Sequence, residues 1–417
     1  MVWKSPRVSP RVSQLFAYAM STALLAIAAL SLIPAMISAS SLVAWGSVAT
    51  GQAIGVLGST AINFGWPILG PALIGSSSAH EQRIEVLRSL RLRALLSLLV
   101  IPACVLTVLV LAPAFPAEAL GGVAMGIALG AGTSWFFIGR REPWKLLAWD
   151  TMPRVAFSGA SIVGLYAGAL SVASAAFIVA GGILAGAVLS AVAIEYQLSS
   201  YRGSISEQPF WGFVRERASG VSTALASNLS ITAPVIVLSV VAPMSVGMFA
   251  LVDRPVRQIA SGLSVVVNQV QGDLADRHAS EFISRARRVT VGVAIATPVA
   301  ALVFSGLGIV LLEWLSGDAG VPVWGGPMVG LLTALTFADL VLSRAVLPPL
   351  GALRALSIIA NASLAATILG TLAGGAVAGA LGALGCLALA TAAKVTSEFW
   401  TAIVLTKHAT GPISPAA

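Results

Sequence analysis

Charge is scarce in this chain: Asp, Glu, Lys and Arg make up 10% of 417 residues, against 57% hydrophobic residues. With a mean hydropathy of +0.93, that scarcity excludes an ordinary soluble protein and implies a polytopic helical membrane protein. Cysteine is nearly absent. Cys104 and Cys386 lie in apolar runs, as small buried hydrophobes do, and suggest neither a disulfide nor a metal pair. The three histidines, His80, His278 and His408, form no HExxH or paired spacing, so no metal site is expected. No GxxxxGK[ST] phosphate loop occurs and no polar stretch is long enough for an ATPase domain, which excludes primary active transport by this chain alone. No nucleophile, base and orienter can be nominated, so neither enzyme activity nor a cofactor is expected. Basic residues outnumber acidic ones, giving a net charge of +8. In a membrane protein that excess first reports topology, so a nucleic-acid partner is not expected.

What is present is a series of apolar runs. Windows of about twenty residues give twelve expected spans, at 13–37, 41–66, 92–112, 119–138, 150–170 and 172–194, then 218–240, 244–270, 289–312, 325–346, 354–374 and 378–402. The first follows Lys4, Arg7 and Arg11 but is too long for a signal peptide, and reads as a retained span. With the N-terminus in the cytoplasm, the cations fall on one side. Arg83, Arg88, Arg91 and Arg93 lie in the second connection, Arg140, Arg141 and Lys145 in the fourth, and Arg202, Arg215 and Arg217 in the sixth. Arg277, Arg285, Arg287 and Arg288 follow the eighth span, Arg344 and Arg354 flank the tenth connection, and Lys407 lies in the tail. Outward connections hold no Lys or Arg and carry Glu118, Glu313 and Asp318. This positive-inside pattern implies a cell-membrane protein with both termini cytoplasmic.

The stretch from Ser245 to Val270 breaks the pattern, being long enough to cross a bilayer while carrying Asp253, Arg254, Pro255 and Arg257 near its middle. A charge at a helix centre costs about 2.5–3.5 kcal/mol on insertion scales, so these groups must face water or one another. Asp253 and Arg257 are one helical turn apart and can pair. Arg254 is then the cation expected to meet an anion, and Pro255 is expected to kink the span. The alternative is a connecting loop, which would leave 259–270 too short to cross and invert every later connection.

The two halves of the chain echo each other. Leu30, Ser31 and Pro34 match Leu229, Ser230 and Pro234; Asn63 matches Asn268, Pro102 matches Pro298, and Arg154 precedes Arg354 by 200 positions. The matches run in order, as expected of two six-helix lobes, 1–200 and 201–417, related by a pseudo-two-fold axis along the membrane normal, with a substrate site between them.

Other polar residues admit two uses each. Arg154, four residues after Asp150, is either an interfacial arginine or a cavity residue. Asp339 is either the partner of a cavity arginine or a proton or cation site, and with Asp253 it is a candidate coupling-ion site. Asn63 and Asn268 can hydrogen-bond sugar hydroxyls or join helices. Lys394 and Glu398, again one turn apart, read as a structural pair with Lys394 stretching to the cytoplasmic interface. Segments His80–Arg93 and Asp273–Arg288 are expected along the cytoplasmic membrane surface. Small-xxx-small spacing, as in Gly122, Gly126 and Gly130 or the pairs Gly164/Gly168, Gly182/Gly186 and Gly375/Gly379, implies close helix packing.

Twelve spans in two lobes, with the pattern from Gly247 through Asp253-Arg254 to Gln258, resemble polysaccharide transporters, and in particular Wzx-type lipid-linked oligosaccharide flippases of the multidrug/oligosaccharidyl-lipid/polysaccharide exporter superfamily. The resemblance implies flipping of a polyprenyl-diphosphate-linked glycan to the outer leaflet, by alternating access through a cationic central cavity, for cell-surface polysaccharide assembly. It also implies glycan polymerases or glycosyltransferases as partners, besides membrane lipids. Arg254, Arg257, Asp253, Arg154, Asn63 and Asn268 are the expected substrate residues. The alternative is a proton- or sodium-coupled multidrug exporter of the same superfamily, which would use Asp253 and Asp339 to bind cations.

Overall fold

The computed structural model describes the backbone of residues 10–112, 114–201, 210–275, 279–317, 320 and 322–408; many side chains within 10–12, 210–227 and 264–282 lie outside that description. Among the described residues the regular structure is all helix. Hydrocarbon offers no hydrogen-bond partner, so a spanning segment must satisfy its backbone internally, as a helix does.

Among the described residues eight stretches are long and apolar enough to cross a membrane: Ser13–Ala39, Leu42–Ser76, Ala79–Leu111, Pro116–Gly139, Val172–Leu198, Ile283–Ser316, Gly325–Val346 and Leu353–Lys407. Their outward faces are apolar: Leu98, Leu99, Val110, Leu302, Val310 and Leu389 are each well over half exposed. A surface of that kind is matched by lipid and not by water. This is the architecture of an all-α multi-pass membrane protein.

The chain divides into two compact units, Met1–Ile236 and Val237–Ala417. The first contains α1 (Pro10–Ala39), α2 (Leu42–Asn63), α3 (Trp66–Ser76), α4 (Ala79–Leu111), α5 (Pro116–Ala128), α6 (Ser134–Gly139), α7 (Pro143–Leu146), α8 (Met152–Tyr166), α9 (Val172–Leu198) and most of α10 (Phe210–Val241). Local chemistry sets several starts. Ser41 caps α2 and Ser171 caps α9, while Ser78 and Glu81 close a reciprocal capping box on α4. Phe64 and Gly65 both adopt positive φ and separate α2 from α3. The tightest packing joins α2 to α5, where a Cβ on Gly122 would stand 2.1 Å from the Val48 carbonyl oxygen and one on Gly51 1.9 Å from that of Ala119. Small residues here let backbones touch.

The second unit contains α11 (Val246–Ala275), α12 (Ala279–Ser316), α13 (Gly325–Val341) and α14 (Leu353–His408). The last is a hairpin. Ala378 and Gly379 are non-helical, with Gly379 at φ 57°, and across that break Gly374 touches Gly382 and Gly370 touches Cys386. Residues eight and sixteen apart in a straight helix would be separated by about 12 and 24 Å.

Three expectations change. His80–Arg93 and the part of Asp273–Arg288 from Ala279 onward are not separate surface helices; they are the first turns of α4 and α12, which run unbroken into the apolar segments. No Pro lies near either junction, and α12 runs through Gly292 without a break in its i→i−4 ladder. Gly168 sits at positive φ in the turn after α8 and contacts nothing across a helix pair. Among the described residues, the expected spans at 150–170, 218–240 and 244–270 are not among the eight: the first is a π-turn plus the fifteen-residue α8, the second includes the shorter apolar stretch Asn228–Val241, and the third is α11, with its charges.

Candidate functional site

The first half of α11 is buried on nearly every side. Phe249, Ala250, Leu251 and Val252 are inaccessible, and Val256 and Ala260 almost so. The helix continues through Pro255, which leaves the Leu251 carbonyl without its usual intrahelical donor. The loop alternative for Asp253–Arg257 is therefore removed, and the three charges lie on a helix packed inside protein. Burying a carboxylate is tolerable only with partners. Asp253, 6% exposed, has a bidentate one: Arg257 Nε and Nη2 both donate to it, the second at 2.8 Å. A planar guanidinium fork matches the two carboxylate oxygens. Arg254 is half-buried on the same turn, so these five residues carry two guanidinium groups and one carboxylate and are formally net positive.

Arg154 has the same kind of partner in the first unit. Its Nη1 donates to Asp150 Oδ2 at 3.1 Å, with Asp150 buried in the π-turn Leu147–Thr151. Gly186 of α9 allows close approach there, since a Cβ would stand 2.7 Å from the Asp150 carbonyl oxygen. Asn63 ends α2 and donates from Nδ2 to the Leu129 carbonyl at 3.3 Å; it joins α2 to the 3-10 turn after α5. Arg254, Arg257 and Asp253 are thus brought together, while Arg154 and Asn63 occupy two separate places in the first unit. The side chain of Asn268 lies outside the described residues.

Among the described residues the cation at Asp339 is a lysine. Lys394 Nζ lies 2.7 Å from Asp339 Oδ1 and 4.0 Å from Glu398 Oε1. The expected Lys394–Glu398 pair is present at 4.0 Å, but the ammonium also crosses from α14 to α13, where Asp339 is the nearer acid. A lysine N-terminal to its acid makes the weaker i,i+4 arrangement, and Asp339 offers a nearer carboxylate.

Arg93, expected in a cytoplasmic connection, is 4% exposed. Its Nη1 donates to the Gly132 carbonyl at 2.8 Å, and its guanidinium lies 5.5 Å from the Trp66 ring centre and 6.0 Å from that of Trp135. Two indole faces and a carbonyl left open at a helix end replace water around the cation. The sequence signal for it was the pair of tryptophans flanking α3 and opening α6, which periodicity alone does not connect to α4.

The chain matches no family model, no curated protein and no solved structure.

Proposed function

We propose that the chain is a twelve-span transporter, built as two six-span lobes over 1–200 and 201–417, that flips a polyprenyl-diphosphate-linked oligosaccharide from the cytoplasmic to the outer leaflet of the cell membrane. The observation that carries this reading is the net-positive turn Asp253-Arg254-Pro255-Val256-Arg257 on a helix whose first half is buried. Ionised groups inside a membrane protein are expensive and signal a pathway or a ligand. A diphosphate suits this turn: guanidinium groups bind phosphate oxygens through paired hydrogen bonds, and the Asp253–Arg257 fork holds one of them in place until an anion competes for it. Arg254 is the primary contact, Arg257 the second, and Asp253 the residue that orients Arg257. The polyprenyl chain stays in lipid.

The test is reconstitution in liposomes carrying a polyprenyl-diphosphate-linked glycan, with lectin access to the outer leaflet as readout. Arg254→Ala is expected to insert normally and to abolish transfer, whereas Arg254→Lys retains a fraction, because charge persists and the fork is lost. Transfer at the wild-type rate by Arg254→Ala refutes the reading. The ion-coupled drug exporter draws support from the acids gathered at Lys394. Deletion of the gene separates the two: a glycan-lipid accumulating in the inner leaflet favours the flippase, and altered drug sensitivity with normal glycans favours the exporter.

A further inference from the structure

Glu398 is the most demanding group in the second unit. Its residue is 0% exposed, and neither carboxylate oxygen makes a hydrogen bond of normal geometry. The aliphatic cluster around it includes Ala338, Val341, Leu342 and Ala402, with Val395 and Phe399 packed against it. The charged groups that act on Glu398 are Asp339 from α13 and Lys394 one turn earlier on α14. The other elements packed on α14 carry Asp253, Arg254 and Arg257 (α11), Arg285, Arg287, Arg288 and Glu313 (α12) and Arg344 (the π-turn Leu342–Val346); among the described residues none of these is a group that acts on Glu398.

One ammonium therefore faces two carboxyl groups, and it stands against Asp339, at 2.7 Å, and not against Glu398, at 4.0 Å. An ionised Glu398 would be a buried charge beside a second anion, without a direct hydrogen bond. A neutral carboxylic acid removes the conflict and supplies an O–H that can reach the neighbouring Asp339 carboxylate.

From this geometry we propose that Asp339, Lys394 and Glu398 form a proton-binding site, with the proton on Glu398 and the Lys394 ammonium shared between the two acids. When the Glu398 O–H bond breaks, its proton leaves to bulk water and the electron pair stays on the carboxylate. The Lys394 head group then swings from Asp339 toward Glu398 across the short gap. Because Asp339 is on α13 and Glu398 on α14, proton occupancy changes which helix the lysine ties. The proposal does not rest on the transport reading, since a chain that moved no glycan would still bind this proton.

The experiment is a pH titration of the purified full chain in detergent by infrared difference spectroscopy, following the carbonyl stretch of protonated carboxylic acid. The wild type is expected to show a band that disappears on alkalinisation. Glu398→Gln, isosteric with the protonated acid, is expected to fold and to lack it. Asp339→Asn is expected to lack it as well, although Glu398 is still present, because Lys394 transfers to Glu398 and keeps it ionised. Lys394→Met is expected to keep the band across the whole range. A Glu398→Gln spectrum identical to the wild type overturns the proposal, and so does an Asp339→Asn variant that retains the wild-type band. If Asp339→Asn does not fold, a Lys394→Met band that titrates as in the wild type is the overturning result.

Discussion

Two pairs in the second unit share one spacing and differ in outcome. Asp253 and Arg257 close into a two-point ion pair on α11, whereas Lys394 and Glu398 stay 4.0 Å apart on α14 while Lys394 reaches Asp339. Order along the helix is one cause: an acid preceding a base agrees with the helix dipole and with side-chain direction, and the reverse does not. The head group is the other, because a guanidinium fork fits both carboxylate oxygens of a single partner, whereas an ammonium is a point charge that can be drawn toward a second acid. Spacing alone therefore shows where a pair can form. Sequence order and side-chain type decide whether it closes or remains available to a third group.

The most damaging test of this contrast is to exchange the α14 pair, combining Lys394→Glu with Glu398→Lys. The acid then precedes the base, but two carboxylates meet at the α13–α14 contact. Losing the partner of a buried charge costs about 3–5 kcal/mol, so the melting transition in detergent is expected to fall sharply, and an unchanged melt would show that order is irrelevant here. Next in size is Asp253→Ala, which leaves Arg254 and Arg257 on one turn without their carboxylate. Its cost is expected near 2 kcal/mol, below the fully buried case because the Arg257 side chain is 29% exposed, and it is read from the same melts. Arg257→Lys keeps the charge and loses the fork; a loss of about 1 kcal/mol is expected, and the contrast sharpens if this change hurts more than Arg154→Lys. Arg154→Gln should be the mildest, under about 1 kcal/mol, since Arg154 makes a single contact and is partly exposed.

Much of the candidate site could be read before any coordinates. Asp253 and Arg257 were legible as partners because an i,i+4 relation is internal to one helix and needs no tertiary information, and the same holds for Asp150 and Arg154. That these charges lie within a helix and not in a loop was legible from the length of the run around them. What the sequence could not disclose was the second, nearer partner of Lys394. Asp339 is 55 positions away, and only the packing of α13 on α14 brings it to 2.7 Å. Arg93 failed to stand out for the same reason: among four arginines in one basic segment, nothing local marks the one that enters between two indole rings contributed by other elements. The glycines divide similarly. Gly122 and Gly126 pack backbone on backbone as their spacing implies, while Gly379 serves a reversal within α14 that its spacing with Gly375 conceals.

By itself, the sequence determined that this is a helical multi-pass membrane protein and which residues share a helical turn, because run length, hydropathy and the 3.6-residue period are properties of a short piece of chain. Tertiary structure decided which cation holds which acid, that Arg93 and Glu398 are buried, and that α14 folds back at Gly379. Those outcomes depend on helices distant in sequence meeting in space, where long side chains choose among partners according to geometry and exclusion of solvent.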